Sequence, residues 1–222
     1  MQKLNWNEID TVFLDMDGTL LDLHFDNHFW LSHLPKRYAE ITQRDLADVE
    51  ADLSRLMTET QGRLDWYCLD FWSDALDVDI VALKKETAER IKVFPHVVEF
   101  LKAVKLRGIR LVLLTNAHRG SLALKLEQTT IGDHFDRLIS SHDLGIAKEG
   151  EGFWEQLQQH EVYDKKSTLL VDDNLSVLKA AHEHGIAHLY GVARPDSRRP
   201  ALEPHEFPVI NDFRDLDPAV KK

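Results

Sequence analysis

The order of apolar runs and amphipathic segments predicts an α/β fold: a doubly wound parallel sheet with an α-helical insertion after its first strand. Three observations carry this expectation. Apolar, strand-like runs alternate with helical patterns, and such alternation implies a parallel sheet built by right-handed crossovers. Residues 22–93 break that rhythm and contain no strand-like run. Polar and acidic residues gather just past the apolar runs, at the carboxyl ends of strands, where open α/β sheets build their sites.

The first strand is expected at Val12-Phe13-Leu14, an apolar run ending in Asp15-Met16-Asp17-Gly18-Thr19. The insertion follows. Within it, Gln43–Glu59 and Asp79–Lys92 have helical spacing and high charge, and Pro95 marks the return to the core. Val97, Val98, Leu101 and Val104 then share a helix face, with Gly108 as its stop. Further strands are expected at Arg110–Asn116, Asp136–Ser141, Ser167–Asp173 and His188–Arg194. Helices fall between them, marked by Leu122, Leu124 and Leu126, by Phe153, Trp154 and Leu157, and by Leu175, Leu178 and Ala181 before Gly185. A tail with Pro195, Pro200, Pro204 and Pro208 reads as surface loop before a short last strand near Val209-Ile210. The expected division is a core of residues 1–21 and 94–222 and a helical cap of residues 22–93.

The 222 residues, 43% of them hydrophobic, suffice for one α/β domain and a smaller appendage. A formal net charge of −11 argues against nucleic acid or an anionic membrane as the main partner. The single cysteine, Cys68, excludes an internal disulfide and suits a reducing compartment. The start, Met1-Gln2-Lys3-Leu4-Asn5-Trp6-Asn7-Glu8, lacks the apolar run of a signal peptide, and no stretch reaches the length of a membrane span. The expected location is therefore cytoplasmic.

A carboxylate at Asp15 can attack phosphorus, and an acid two residues on, Asp17, can protonate the leaving oxygen. Thr115 and Asn116 bring a hydroxyl and an amide suited to phosphate oxygens, beside a helix start. Lys148 can neutralise the nucleophile and the phosphoryl group. Asp172 and Asp173 suit Mg²⁺, directly or through water. Each piece has a plain structural reading as turn, cap or solvated charge. Their joint occurrence, each at or soon after a strand end, points to phosphoryl chemistry.

This order, D-x-D-G-T, then T-N, then K, then D-D, resembles the haloacid dehalogenase superfamily. The resemblance implies Asp15 as nucleophile, Asp17 as acid/base, Thr115 as phosphate binder and Lys148 as charge stabiliser. It implies Mg²⁺ held by Asp15, the Asp17 carbonyl and Asp173, with Asp172 direct or through water. It also implies a helical cap over the site, and phosphatase rather than dehalogenase chemistry because of the acid at position 17. Leu14–Trp30 and Leu64–Ser73 are similar to the purine 5′-nucleotidases of the superfamily in enteric bacteria. That similarity implies purine nucleoside monophosphates, GMP and IMP, as substrates. Phe25, Asn27, Arg63, Trp66 and Tyr67 are then the candidates for reading the base. A different small ester such as phosphoglycolate or a sugar phosphate, and a phosphomutase reaction, use the same core residues. A non-catalytic binding module would have no need of Asp15, Asp17, Thr115, Lys148 and Asp173 together.

The helical spacing of Trp66, Tyr67, Phe71 and Trp72 mainly reads as packed cap core. His24, His28 and His33 form no metal motif, and His118 and Arg119 lie close enough to Thr115-Asn116 to reach substrate.

Overall fold

The computed structural model describes residues 4–203, 206–216 and 218. Met1–Lys3 and Pro204, on which part of the sequence reading falls, lie outside the described residues.

Six parallel strands form one sheet in the order β3-β2-β1-β4-β5-β6: β1 Thr11–Leu14, β2 Arg110–Thr115, β3 Arg137–Ser140, β4 Thr168–Val171, β5 His188–Val192 and β6 Val209–Ile210. The core helices are α6 Val97–Leu106, α7 Arg119–Thr129, α8 Phe153–His160 and α9 Leu175–His184, each bridging consecutive strands. The two-residue period of the strands sorts their side chains onto two faces. Val12, Leu14, Leu111, Leu113, Leu169 and Val171 pack with residues of α6 and α7. Phe13, Val112, Leu114 and Leu170 pack with Phe153, Trp154 and Leu157 of α8 and Val177, Leu178 and Ala181 of α9. Because both faces are covered, β1 and β4 are buried at every position. β1 lies at the switch between the two halves of the sheet, with β2 on one side and β4 on the other. Leu14 is level with Leu113 and Val171, so the residues that follow all three strands leave the sheet together.

Between β1 and α6 come five helices: α1 His24–His28, α2 Leu34–Thr42, α3 Leu46–Thr60, α4 Leu69–Leu76 and α5 Ile80–Lys85. No strand occurs there among the described residues, as the sequence predicts. The helix expected over Gln43–Glu59 starts later, because Gln43 ends α2 at φ 54° and Asp45 caps α3 by accepting from Ala47 N at 2.9 Å. The one expected over Asp79–Lys92 is shorter: Asp79 caps α5, which ends at Lys85 ahead of a 3₁₀ turn at Ala88–Arg90. α1 runs into α2 through a π-helical turn at Phe29–His33. Pro35, in the first turn of α2, has no N–H for Leu31, and the wider turn accommodates its ring.

The helices of this segment bury their own cluster of Phe29, Leu34, Val49, Leu53, Leu69, Trp72, Leu76, Ile80 and Leu83. Trp72, 1% exposed, sits at its centre, and truncating such a side chain to alanine typically costs about 3–5 kcal/mol. The two connections to the sheet run side by side. Asp22 N donates to Lys92 O and Phe94 N to Leu20 O, both at 2.9 Å, around an antiparallel bridge of Leu21 with Val93. No helix of the described residues is long and apolar enough to cross a membrane.

Candidate active site

The carboxyl ends of β1, β2 and β4 open into a cleft of about 380 Å³, roofed by α1, α4 and the segment before α4. Asp15 continues the ladder past β1, donating its N–H to Val171 O at 3.0 Å, and is 5% exposed. The chain then turns back sharply, with Leu20 N and Leu21 N both on Met16 O. Gly18 makes that turn at φ 83°, and a Cβ there would stand 2.4 Å from Asp173 Oδ2. The turn therefore needs glycine for its conformation and for its closeness to the acid at the end of β4.

Lys148 joins the three strand ends. Its Nζ donates to Asp15 Oδ1 and Asp172 Oδ2, each at 2.6 Å, and to Leu114 O at 3.1 Å. Asn116 places it: its Oδ1 accepts from Lys148 N at 2.9 Å and its Nδ2 donates to Glu149 Oε2 at 2.8 Å. The amide expected to meet phosphate is thus spent on bracing the lysine loop. Thr115 Oγ1 accepts from Ala117 N at 3.0 Å, and its own proton stays available to the cleft.

Asp15, Asp172 and Asp173 each bring a carboxylate oxygen within 4.8 Å of the others. Burial raises Asp15 to about 6 even though Lys148 opposes the rise. Burial also raises Asp172 and Asp173, the latter reinforced by Asp15 and Asp172. Burial pulls Lys148 down, but the two carboxylates outweigh it and hold the ammonium protonated. Three acids against one lysine leave the pocket short of positive charge. A hard divalent cation that takes oxygen ligands fits that deficit.

A second charged group was not legible from the motifs. Lys125 of α7 forms an ion pair with Asp17 Oδ1 at 2.6 Å and donates to Asp26 Oδ2 at 2.7 Å. Lys84 of α5 donates to Asp26 Oδ1 at 2.7 Å. Both lysine side chains are 2% exposed. Burial raises Asp17 to about 6, against the pull of Lys125 and with help from Asp26 and Asp15. Burial alone would raise Asp26 as well, yet Lys125 and Lys84 outweigh it and bring it down to about 2. The signal for both lysines was positional. Lys125 follows Leu122 and Ser121, and Lys84 follows Leu83 and Ile80, at the spacing of a buried helix face.

Of the residues expected to read a base, the structure brings Asn27, Trp66 and Tyr67 to the cleft, together with Trp30 and Trp72. Asn27 Nδ2 donates to Asp196 Oδ2 at 2.7 Å, and Tyr67 Oη to Glu149 Oε1 at 2.8 Å. Phe25 and Arg63 are not brought there. Phe25 is 1% exposed in the core, with the Lys84 and Lys125 ammoniums 5.0 and 5.5 Å from its ring centre. Arg63 points outward and pairs with Asp65. Apolar burial explains the first and solvation of a guanidinium the second. His118 lines the cleft, whereas Arg119 pairs with Asp143 on the surface.

The haloacid dehalogenase-like hydrolase family profile matches residues 9–185. The chain is 38% identical over 218 residues to the GMP/IMP nucleotidase YrfG of Escherichia coli K12, covering 98% of both chains. It is 26% identical over 176 residues to the pyrimidine 5′-nucleotidase YjjG of the same organism, covering 74% of this chain and 77% of that one. A haloacid dehalogenase-type phosphatase from Thermococcus onnurineus superposes with a TM-score of 0.75 at 18% identity, over 94% of this chain and 96% of that one. By the family match and the 38% identity, the chain is an enzyme and belongs to the haloacid dehalogenase-like hydrolases.

Proposed function

We propose that the protein is a Mg²⁺-dependent 5′-nucleotidase that hydrolyses purine nucleoside monophosphates, GMP and IMP foremost. The observation that carries this reading is one cleft with two unlike surfaces. Asp15, Asp172, Asp173 and Lys148 form a charged floor, and Trp30 and Trp66 add apolar aromatic surface to the same cleft. The 38% identity to a GMP/IMP nucleotidase along nearly the whole chain supports the substrate class.

Asp15 attacks phosphorus and carries the phosphoryl group as an aspartyl-phosphate. Asp17 gives a proton to the departing sugar oxygen and then takes one from the water that attacks the aspartyl-phosphate. Its position near 6 suits both transfers at neutral pH, and Lys125 orients its carboxylate. Thr115 and Lys148 bind phosphoryl oxygens, and Asn116 holds Lys148 in place. Asp15, the Asp17 carbonyl and Asp173 would hold Mg²⁺, with Asp172 bound to Lys148 beside them. When bound, the cation supplies positive charge to the phosphoryl oxygens. Residues 22–93 act as the cap, excluding bulk water while Trp30 and Trp66 stack on the purine.

The test is kcat/KM for GMP, IMP, AMP, CMP, UMP, phosphoglycolate and a sugar phosphate at saturating Mg²⁺. GMP and IMP should lead, in line with the 38% identity to a GMP/IMP nucleotidase. If phosphoglycolate or a sugar phosphate wins by a wide margin, the nucleotidase reading fails.

A further inference from the structure

Outside the carboxylate floor, one cluster of metal-ligating side chains joins the helical segment to the sheet. Cys68 stands between the 3₁₀ turn Leu64–Tyr67 and α4. His118 caps α7, and His142 lies in the 3₁₀ turn after β3. Each offers one ligand atom, and all three atoms lie within 4.8 Å of one another. A thiolate with two imidazoles selects Zn²⁺ and its like over Mg²⁺, and a fourth position is left for water.

One further observation points the same way. His142 Nε2 is buried and has no hydrogen-bond partner among the described residues. To ligate through Nδ1, His118 would exchange its cap on Gly120 N, 3.3 Å away, for the cation, with Nε2 facing the Asp70 carboxylate at 3.4 Å. The two parts already touch here: a Cβ on Gly120 in α7 would meet Val81 at 3.1 Å and Leu69 at 3.7 Å.

We propose that Cys68, His118 and His142 form a Zn²⁺ site that clips the helical segment onto the sheet and holds the cleft shut. Cys68 belongs to the segment that would have to lift for substrate to enter, whereas both histidines belong to loops of the core. A bound cation therefore opposes opening and slows turnover, separately from any cation at Asp15 and Asp173.

The test uses the full protein saturated with Mg²⁺, so that the carboxylate site is filled, and titrates Co²⁺ as a coloured substitute for Zn²⁺. We expect one equivalent to bind with a thiolate-to-cobalt charge-transfer band in the near ultraviolet. Cys68→Ser should abolish that band, and His142→Ala should weaken binding by more than about tenfold. No band in the wild type, or a band unchanged in Cys68→Ser, overturns the site. This readout does not depend on which phosphate ester is the substrate. In a second arm, Zn²⁺ should inhibit phosphate release at saturating Mg²⁺, and Cys68→Ser should relieve the inhibition without altering the rate in its absence. Equal inhibition of both proteins assigns the effect to the carboxylate site and overturns the clip.

Discussion

Replacing Asp26 with asparagine should destabilise the protein far more than its position in a short helix suggests. Among the described residues Asp26 is the one carboxylate shared by Lys84 and Lys125, at 2.7 Å from each, and all three side chains are largely buried. An asparagine keeps the shape and removes the charge. Lys84 is then left with the rings of Phe25, Phe29 and Trp30, whose centres lie 5.0, 4.8 and 5.4 Å from its ammonium. Such contacts are worth about 2 kcal/mol when desolvated, too little to hold a buried charge. Breaking a buried ion pair from one side typically costs about 3–5 kcal/mol. With a urea m value of about 3 kcal/mol/M, the unfolding midpoint falls by more than about 1 M. The double variant Asp26→Asn/Lys84→Met should be less destabilised than Asp26→Asn alone, since a thioether needs no counter-charge. The acid limb gives an independent check. Asp26 sits at about 2 in the fold against an ordinary 3.8, so its share of stability is full above about pH 4 and lost as pH falls towards 2. That shift corresponds to about 2 kcal/mol. The stability gap between wild type and Asp26→Asn should therefore narrow on acidification from pH 5 to pH 3. A cost below about 1 kcal/mol at pH 7, with parallel acid limbs, would refute the network.

Three further outcomes are expected at the floor of the cleft. Asp15→Asn should abolish phosphate release while leaving circular dichroism and the unfolding midpoint near wild type, because an amide forms no acyl phosphate; substantial turnover by a clean preparation rules out Asp15 as nucleophile. Gly18→Ala should cut activity and weaken Mg²⁺ binding, since φ 83° and a 2.4 Å approach to Asp173 Oδ2 force the turn or the acid to move; calorimetric titration with Mg²⁺ reads this directly. Asp173→Ala should weaken Mg²⁺ binding more than Asp172→Ala, because Asp172 already has Oδ2 on Lys148 and Oδ1 on Asn174 N; the reverse order contradicts the ligand set.

Much of this molecule was legible in the chain. Apolar runs such as Thr168–Val171, buried at every position, can serve only as central strands, and the turn residues after them mark the strand ends where Asp15, Thr115 and Asp172 converge. Local pattern determines local conformation, and the right-handed crossover rule then leaves few ways to order parallel strands. The sequence also showed that residues 22–93 form helices, because no alternating run interrupts them. Only the tertiary structure decided which helical side chains face the cleft. Phe25 and Trp30 are both aromatic residues at the start of the helical segment, yet one is core and the other lines the site. Lys84, Lys125 and Asp26 are separated by up to 99 residues, and nothing in their neighbours says that they share one buried network. Such a network exists because desolvation makes each charge costly alone and acceptable together, a condition that depends on where whole elements dock rather than on any local pattern.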